Sequence, residues 1–332
     1  RTEKIFGTHK KWEHMEELLD FYFDSYDFVK KSELFDEKYI TYCEKTHNNL
    51  LVKMYCMDPS RNIQAAIAGM QGVIYFSATL LPMNYYVAIL GGDEKSYGLS
   101  IPSPFDRNNL CLIIDRFVST KFAKRENSIE PIIQKIDEIT NPKKGNYMVF
   151  FPSYKYMITV YEAYLEKVDL DKKEVMIQDR ALNEDEKEAF INAFSTDREK
   201  TLIAFVVLGG MFGEGIDLTG EKLSGAIIVS VGLPQLSYER NLIKRHFDTL
   251  SGNGYEYAYV YPGLNKVMQS AGRVIRTMQD QGVVVLLDER FNLPYYQSLF
   301  PEEWNNPRVL KRDEDLQEII SEFWTLGQNG GC

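Results

Sequence analysis

No CxxC pair occurs among the four cysteines, Cys43, Cys56, Cys111 and Cys332. Their scatter excludes a disulfide framework and a zinc or iron–sulfur site built within the chain, and free thiols in a reducing compartment are expected. No GxxxxGK[ST] loop is present, nor any Gly-Lys dipeptide. Without that loop the residues cannot form the usual ATP phosphate cradle on their own. No apolar run approaches the roughly 18 residues of a membrane span, and no signal peptide opens the chain. A cytoplasmic protein without a membrane partner is expected. Proline and glycine are sparse, 12 and 22 of 332 residues, and 44% of the residues are hydrophobic. That composition excludes disorder and provides for about two domains of roughly 150 residues each. Positive charge is in deficit, with 38 Lys+Arg against 48 Asp+Glu and a net charge of −10. The balance excludes a protein that coats nucleic acid with a basic surface, but it permits a local basic spot such as Lys121–Arg125.

The chain opens on Arg1-Thr2-Glu3 rather than on methionine, as expected of a piece of a longer polypeptide. From Lys11 to Lys31, apolar residues at Trp12, Met15, Leu18, Leu19, Tyr22, Phe23 and Tyr26 predict one amphipathic helix. A polar stretch from Ser32 to Asn49 follows, with a shorter helical pattern inside it. From Leu50 onward, short apolar runs alternate with helical segments. Leu50–Met57 and Val73–Phe76 read as strands, with a helix between them that Asp58 caps and Pro59 begins. Further strands are predicted at Leu110–Ile114, Tyr147–Phe151, Glu174–Ile177, Thr201–Val206, Ala226–Val231 and Val283–Leu287. Wholly apolar strands between helices predict an α/β fold, a parallel sheet covered by helices on both faces. A boundary between two α/β parts is expected near residues 92–106.

In an open parallel sheet, ligands gather at the carboxyl ends of the strands. Four such places stand out. Ser77-Ala78-Thr79-Leu80 puts two hydroxyls at a strand end, although small hydroxyl residues also fill ordinary turns. Phe150-Phe151-Pro152-Ser153-Tyr154 runs a strand into a helix start. There free N–H groups and Ser153 suit a phosphate, and Tyr154 and Tyr156 suit a base; a plainly capped helix with core aromatics fits equally. The stretch from Gly209 to Asp217 is too glycine-rich for packing alone and carries Glu214 and Asp217. Finally, Gln269, Arg273 and Arg276 are spaced four and three apart. On one helix they share a face, and two guanidinium groups side by side suit a polyphosphate. Gly272 within that helix suggests close approach of another element. Val283–Leu287 followed by Asp288-Glu289 imitates a Mg²⁺-holding acidic pair. Without the phosphate loop it reads as a core strand, with Asp288 and Arg290 structural at its end.

In this order and spacing, the four stretches resemble motifs III, IV, V and VI of the XPD/DinG group of superfamily 2 DNA helicases. Gln269–Arg276 matches the QxxGRxxR form of motif VI, and Asp280, Gly282 and Asp288–Phe291 fit the group's usual ending. The resemblance covers roughly residues 50–300 and implies the C-terminal half of a bacterial, cytoplasmic ATP-dependent DNA helicase with RecA-like motor domains. Residues 1–48 would be the helical tail of an inserted, Arch-like domain. Residues 49–97 would be the last piece of motor domain 1, and 98–332 motor domain 2. Arg273 and Arg276 would be arginine fingers assisted by Gln269. Glu214, Gly215 and Asp217 would lie at the nucleotide, and Ser77, Thr79, Ser153, Tyr154 and Gly210 at single-stranded DNA. ATP and Mg²⁺ would be bound in the full-length enzyme, with the N-terminal motor domain of the same polypeptide supplying the phosphate loop. An iron–sulfur cluster or an exonuclease domain would belong upstream. No metal site is expected in this chain, which alone should be inactive. Motif V departs from the group at Met211 and Gly213, where a small polar residue and a tryptophan are usual. The alternative implied is a non-unwinding nucleic-acid-binding or assembly module that keeps the fold.

Overall fold

The computed structural model describes residues 14–45, 47, 49–212 and 218–329. Helix α1, Met15–Ser32, forms where the apolar spacing predicts it, yet buries none of its residues. The stretch after it differs from expectation. Tyr39–Lys45 is a strand, β1, paired antiparallel with β2, Leu50–Cys56, so that Tyr39 faces Cys56 and Lys45 faces Leu50. The run Tyr39-Ile40-Thr41-Tyr42 is aromatic and β-branched, a strand composition that its polar flanks obscure. Leu50–Cys56 therefore belongs to a hairpin and not to a parallel sheet.

Asp58 Oδ1 accepts the Ser60 N–H at 2.9 Å and starts α2, Ser60–Ile67. Val73–Phe76, expected as a buried strand, is irregular, with Ile74 87% and Phe76 90% exposed. An apolar run becomes a strand only where another strand offers it a free edge, and none of the described residues does so here. Helix α3 follows at Met83–Ile89.

The remaining strands are where the apolar runs predict them. They are β3 Leu110–Asp115, β4 Asn146–Phe151, β5 Lys173–Ile177, β6 Thr201–Val207, β7 Gly225–Val229 and β8 Gly282–Leu287; a short β9 at Arg308–Val309, which the sequence does not suggest, is added to them. They form one sheet in the order β5-β6-β4-β7-β8-β3-β9, parallel throughout. The intervening helices are α4 Arg125–Thr140, α5 Tyr154–Leu165, α6 Glu184–Asn192, α7 Tyr238–Ser251 and α8 Tyr261–Ala271. The short α9, Pro294–Gln297, and the C-terminal α10, Leu316–Asn329, complete the set.

Alternation along each strand divides the core in two. Met148, Phe150, Ala204, Ile228 and Leu286 face α6 and α8, meeting Phe190, Leu264 and Val267. Val149, Phe151, Phe205, Val229 and Val285 face α4, α5 and α10, meeting Ile136, Met157, Val160 and Ile320. Covering both faces is why these strands are wholly apolar.

Phe205 sits at the centre of the second layer, stacked on Phe151 at 5.7 Å between ring centroids and met edge-on by Tyr161 at 5.4 Å. Phe205→Ala is expected to lower unfolding stability by about 3–5 kcal/mol, read as a reduced midpoint in urea denaturation with unchanged slope.

Candidate functional site

All the parallel strands end at one edge, and the loops beyond them carry Ser153, Tyr154 and Gly210. Gln269, Arg273 and Arg276, expected there too, precede β8 and lie at the opposite edge, and Ser77 and Thr79 follow no strand of the sheet. Ser153 caps α5, its Oγ accepting the Tyr156 N–H at 3.4 Å. The Tyr154 hydroxyl accepts a hydrogen bond from Gln178 Nε2 at 2.9 Å. The same Gln178 accepts the Val207 N–H at 2.9 Å and donates its own N–H to Phe205 O at 2.8 Å. One buried amide thus ties the end of β5 to the end of β6 and to the first turn of α5. A Cβ on Gly210 would lie 3.2 Å from Gln178 Nε2, so Ser153, Tyr154 and Gly210 belong to one cluster. Arg180 places its guanidinium 5.3 Å from the centre of the Tyr154 ring. Sequence reading missed Gln178 and Arg180. Their signal was position, directly after the apolar run that forms β5.

Tyr156 cannot meet a base. It is buried, and its hydroxyl is hydrogen-bonded to Ser128 Oγ in the first turn of α4. Glu214, Gly215 and Asp217 lie outside the described residues. Just before them the loop holds a left-handed Gly209, φ +67°, where a Cβ would collide with the Lys266 stem at 2.6 Å. Close approach of that loop to α8 is what demands glycine there.

Helix α8 ends at Ala271, and Gln269 lies in its last turn. The Gly272 N–H bonds Met268 O at 2.8 Å, after which Arg273 and Val274 turn tightly onto Ser270 O and Ala271 O. Arg273 and Arg276 therefore stand beyond the helix, and the single helical face shared with Gln269 does not form. Gly272 is the terminating residue. A Cβ there would meet the helix's own Met268 O at 3.1 Å and no other element. The arginine loop is instead pinned by the buried Asp280. Its Oδ2 accepts the N–H groups of Arg276 and Thr277, each at 2.7 Å, and its Oδ1 accepts the Thr277 hydroxyl at 2.7 Å.

Ser77 Oγ accepts the Thr79 N–H at 3.2 Å, which makes the pair a local turn. The segment after it reaches α8: Leu81 packs on the core layer beneath that helix, Tyr86 accepts from Asn265, and the rings of Tyr85 and Tyr261 lie 5.1 Å apart.

At the ends of β7 and β8, Asp288 and Arg290 form the expected structural pair. Arg290 Nε and Nη2 meet the two Asp288 oxygens at 2.7 and 2.9 Å, while Nη2 also reaches Thr120 Oγ1 at 3.1 Å and Ser230 Oγ at 3.3 Å. Burial alone would raise the Asp288 pKa, but Arg290 and Thr120 outweigh it and hold the carboxyl below its ordinary value. Among the described residues no group of three His, Cys, Asp or Glu side chains could hold a metal ion, and no helix is long and apolar enough to cross a membrane.

The sequence model of a helicase C-terminal domain matches residues 136–307. The DNA helicase DinG of Photobacterium profundum is 28% identical over 235 residues, covering 66% of this chain and 32% of its own. The XPD/RAD3 subunit of the general transcription and DNA repair factor IIH of Saccharomyces cerevisiae is 25% identical over 263 residues, covering 74% and 33%. A solved XPD helicase structure superposes with a TM-score of 0.61 at 22% identity, covering 85% of this chain and 49% of that one. The sheet is thus the RecA-like sheet of that structure. The chain spans less than half the length of the curated relatives it matches.

A carboxyl whose folded pKa is depressed contributes stability that is present above the unfolded value, about 3.9, and is lost as pH falls through the folded one. Asp288→Asn, which leaves Arg290 without its counter-charge, is expected to cost about 3–5 kcal/mol at pH 7. It should also flatten the acid limb of the stability curve when urea denaturation is followed from pH 7 to pH 3.

Proposed function

Because this chain belongs to the helicase C-terminal domain family, we propose that it is the C-terminal motor portion of an ATP-dependent DNA helicase of the DinG/XPD group. In this reading residues 98–332 are motor domain 2 and residues 49–97 the last piece of motor domain 1. Residues 1–48 are the tail of an Arch-like insertion. The uncovered apolar run Val73–Phe76 then adds a strand to the sheet of motor domain 1, which residues of the same polypeptide outside this chain would supply. Support comes from Ile74 and Phe76, strand-forming residues that are almost fully exposed.

The observation that carries the reading is the arginine loop. Arg273 and Arg276 stand on a short segment fixed at one end by the close of α8 and at the other by Asp280. Two guanidinium groups carried on one short segment suit the γ-phosphate of ATP, whose oxygens gain charge during transfer to water. The segment carrying Ser77 and Thr79 packs on the same α8 through Leu81 and Tyr86. Such a contact would couple nucleotide state to strand grip. Gln269 would orient the arginines, and Glu214, Gly215 and Asp217 would border the nucleotide.

Ser153, Tyr154 and Gly210 would face single-stranded DNA. Ser153 uses Oγ as an acceptor for the helix cap, so its hydroxyl proton remains able to meet a phosphate. Among the described residues no three His, Cys, Asp or Glu side chains come together to hold a metal ion; in this reading the Mg²⁺ ligands and the phosphate loop would come from the other motor domain. An iron–sulfur cluster would likewise lie upstream. The alternative, a non-unwinding module on the same fold, draws on Met211. This side chain packs on the core where the group usually has a small polar residue.

An in-trans arginine is worth about 10³–10⁵ in rate in related phosphoryl-transfer systems. In the full-length polypeptide, Arg276→Ala is expected to abolish DNA-stimulated ATP hydrolysis to that extent, and this chain alone should show negligible turnover. Unchanged turnover in the variant would overturn the arginine assignment. Hydrolysis without strand displacement by the unaltered polypeptide would favour the alternative.

A further inference from the structure

Between β3 and α4 the chain runs from Asp115 to Arg125. It holds four cations, Arg116, Lys121, Lys124 and Arg125, and one acid, in a protein whose net charge is −10. The acid, Asp115, is fully buried and turns inward, accepting the Phe117 N–H at 2.8 Å. Two phenylalanines point outward from the same stretch, Phe117 at 44% and Phe122 at 86% exposure. Each ring is paired with a cation. The Arg116 guanidinium lies 5.3 Å from the Phe117 ring centre, and that of Arg125 lies 5.6 Å from Phe122 and 5.0 Å from Tyr156.

The loop is held firmly. Val118 O accepts the Glu289 N–H at 2.9 Å, and Thr120 is hydrogen-bonded to the buried Asp288. Glu289 faces the patch and pairs with Lys121 at 2.9 Å. Arg125 has no carboxylate partner among the described residues; its Nε donates only to Thr120 O, at 3.4 Å. The Ser128–Tyr156 hydrogen bond joins the first turns of α4 and α5, which sets the patch beside Ser153 and Tyr154.

A ring left in water on a held loop, next to a guanidinium with no carboxylate partner among the described residues, has little value for folding. The pair matches a nucleotide, whose base stacks on the ring while its phosphate meets the cation. We propose that Phe122, Lys124 and Arg125 form a stacking platform that extends the single-stranded DNA track beyond Tyr154. Phe122 takes the face of a base, and Arg125 and Lys124 take the adjoining phosphate. Duplex DNA is excluded, because its base faces are already stacked. The platform rests on the strand-track reading of Tyr154 and adds residues outside the helicase motifs.

The test is fluorescence anisotropy of the full-length polypeptide with labelled oligothymidine and with a duplex of equal length, over a range of salt. Phe122→Ala is expected to weaken single-strand binding about tenfold or more while leaving duplex binding unchanged, and Phe122→Trp to retain affinity. Arg125→Gln should reduce the slope of log affinity against log salt by about 0.7, the loss of one phosphate contact. Wild-type affinity in Phe122→Ala together with weakened binding in Tyr154→Ala would overturn the platform and spare the track. Wild-type affinity in both would overturn both. Equal loss on duplex and single strand would reduce the patch to bare charge and overturn the stacking role.

Discussion

Burial of a parallel sheet on both faces is the constraint from which the rest of the molecule follows. Six of the seven strands are wholly or largely apolar, because neither face of the sheet meets water. Each parallel pairing also requires the chain to cross back over the sheet, so every strand ends at the same edge. Polar chemistry has no room inside the two core layers. It collects in the loops at that edge, where backbone groups are free and side chains can be held without core packing. Ser153, Gln178, Gly210, Thr120, Ser230 and Asp288 all stand there for this one reason.

At that edge a small number of buried polar groups turn loops into fixed geometry. Gln178, at the end of β5, spends all the hydrogen bonds described for it on two other elements, α5 and β6. At the opposite edge, just before β8, Asp280 gathers two backbone N–H groups and a hydroxyl around the arginine loop. Asp288 does the same for Thr120 and Arg290. A buried carboxylate is costly unless nearly every lone pair is satisfied, and these two are well supplied. The firmness of the edge comes from such groups, while the exposed side chains around them, Arg180 and Phe122 above all, stay available to a ligand.

Periodicity in the sequence predicts six of the strands, most of the helices between them and the two-faced cover. It also finds the loop positions of Ser153, Tyr154 and Gly210. It misreads three things, each for a physical reason. Val73–Phe76 has the composition of a buried strand but no described edge to join. Tyr39–Lys45 hides a strand inside a polar stretch, since a hairpin on the periphery needs only a few β-forming residues. The run from Gln269 to Arg276 has helical spacing, yet Gly272 ends the helix after Ala271 and carries the arginines onto a loop.

Apolar pattern and glycine placement, both local properties, determined by themselves that this chain builds a parallel α/β sheet and where its loops fall. The arginines and the motif order were legible too, because both are matters of residue type and spacing alone. Only the tertiary structure decided which residues meet. That Gln178 binds Tyr154, that Asp280 pins the arginine loop, that Tyr156 is spent on Ser128 and that Phe122 faces water all depend on contacts between residues remote in sequence. Such contacts are settled by which helix lies on which face of the sheet, and no local pattern contains that.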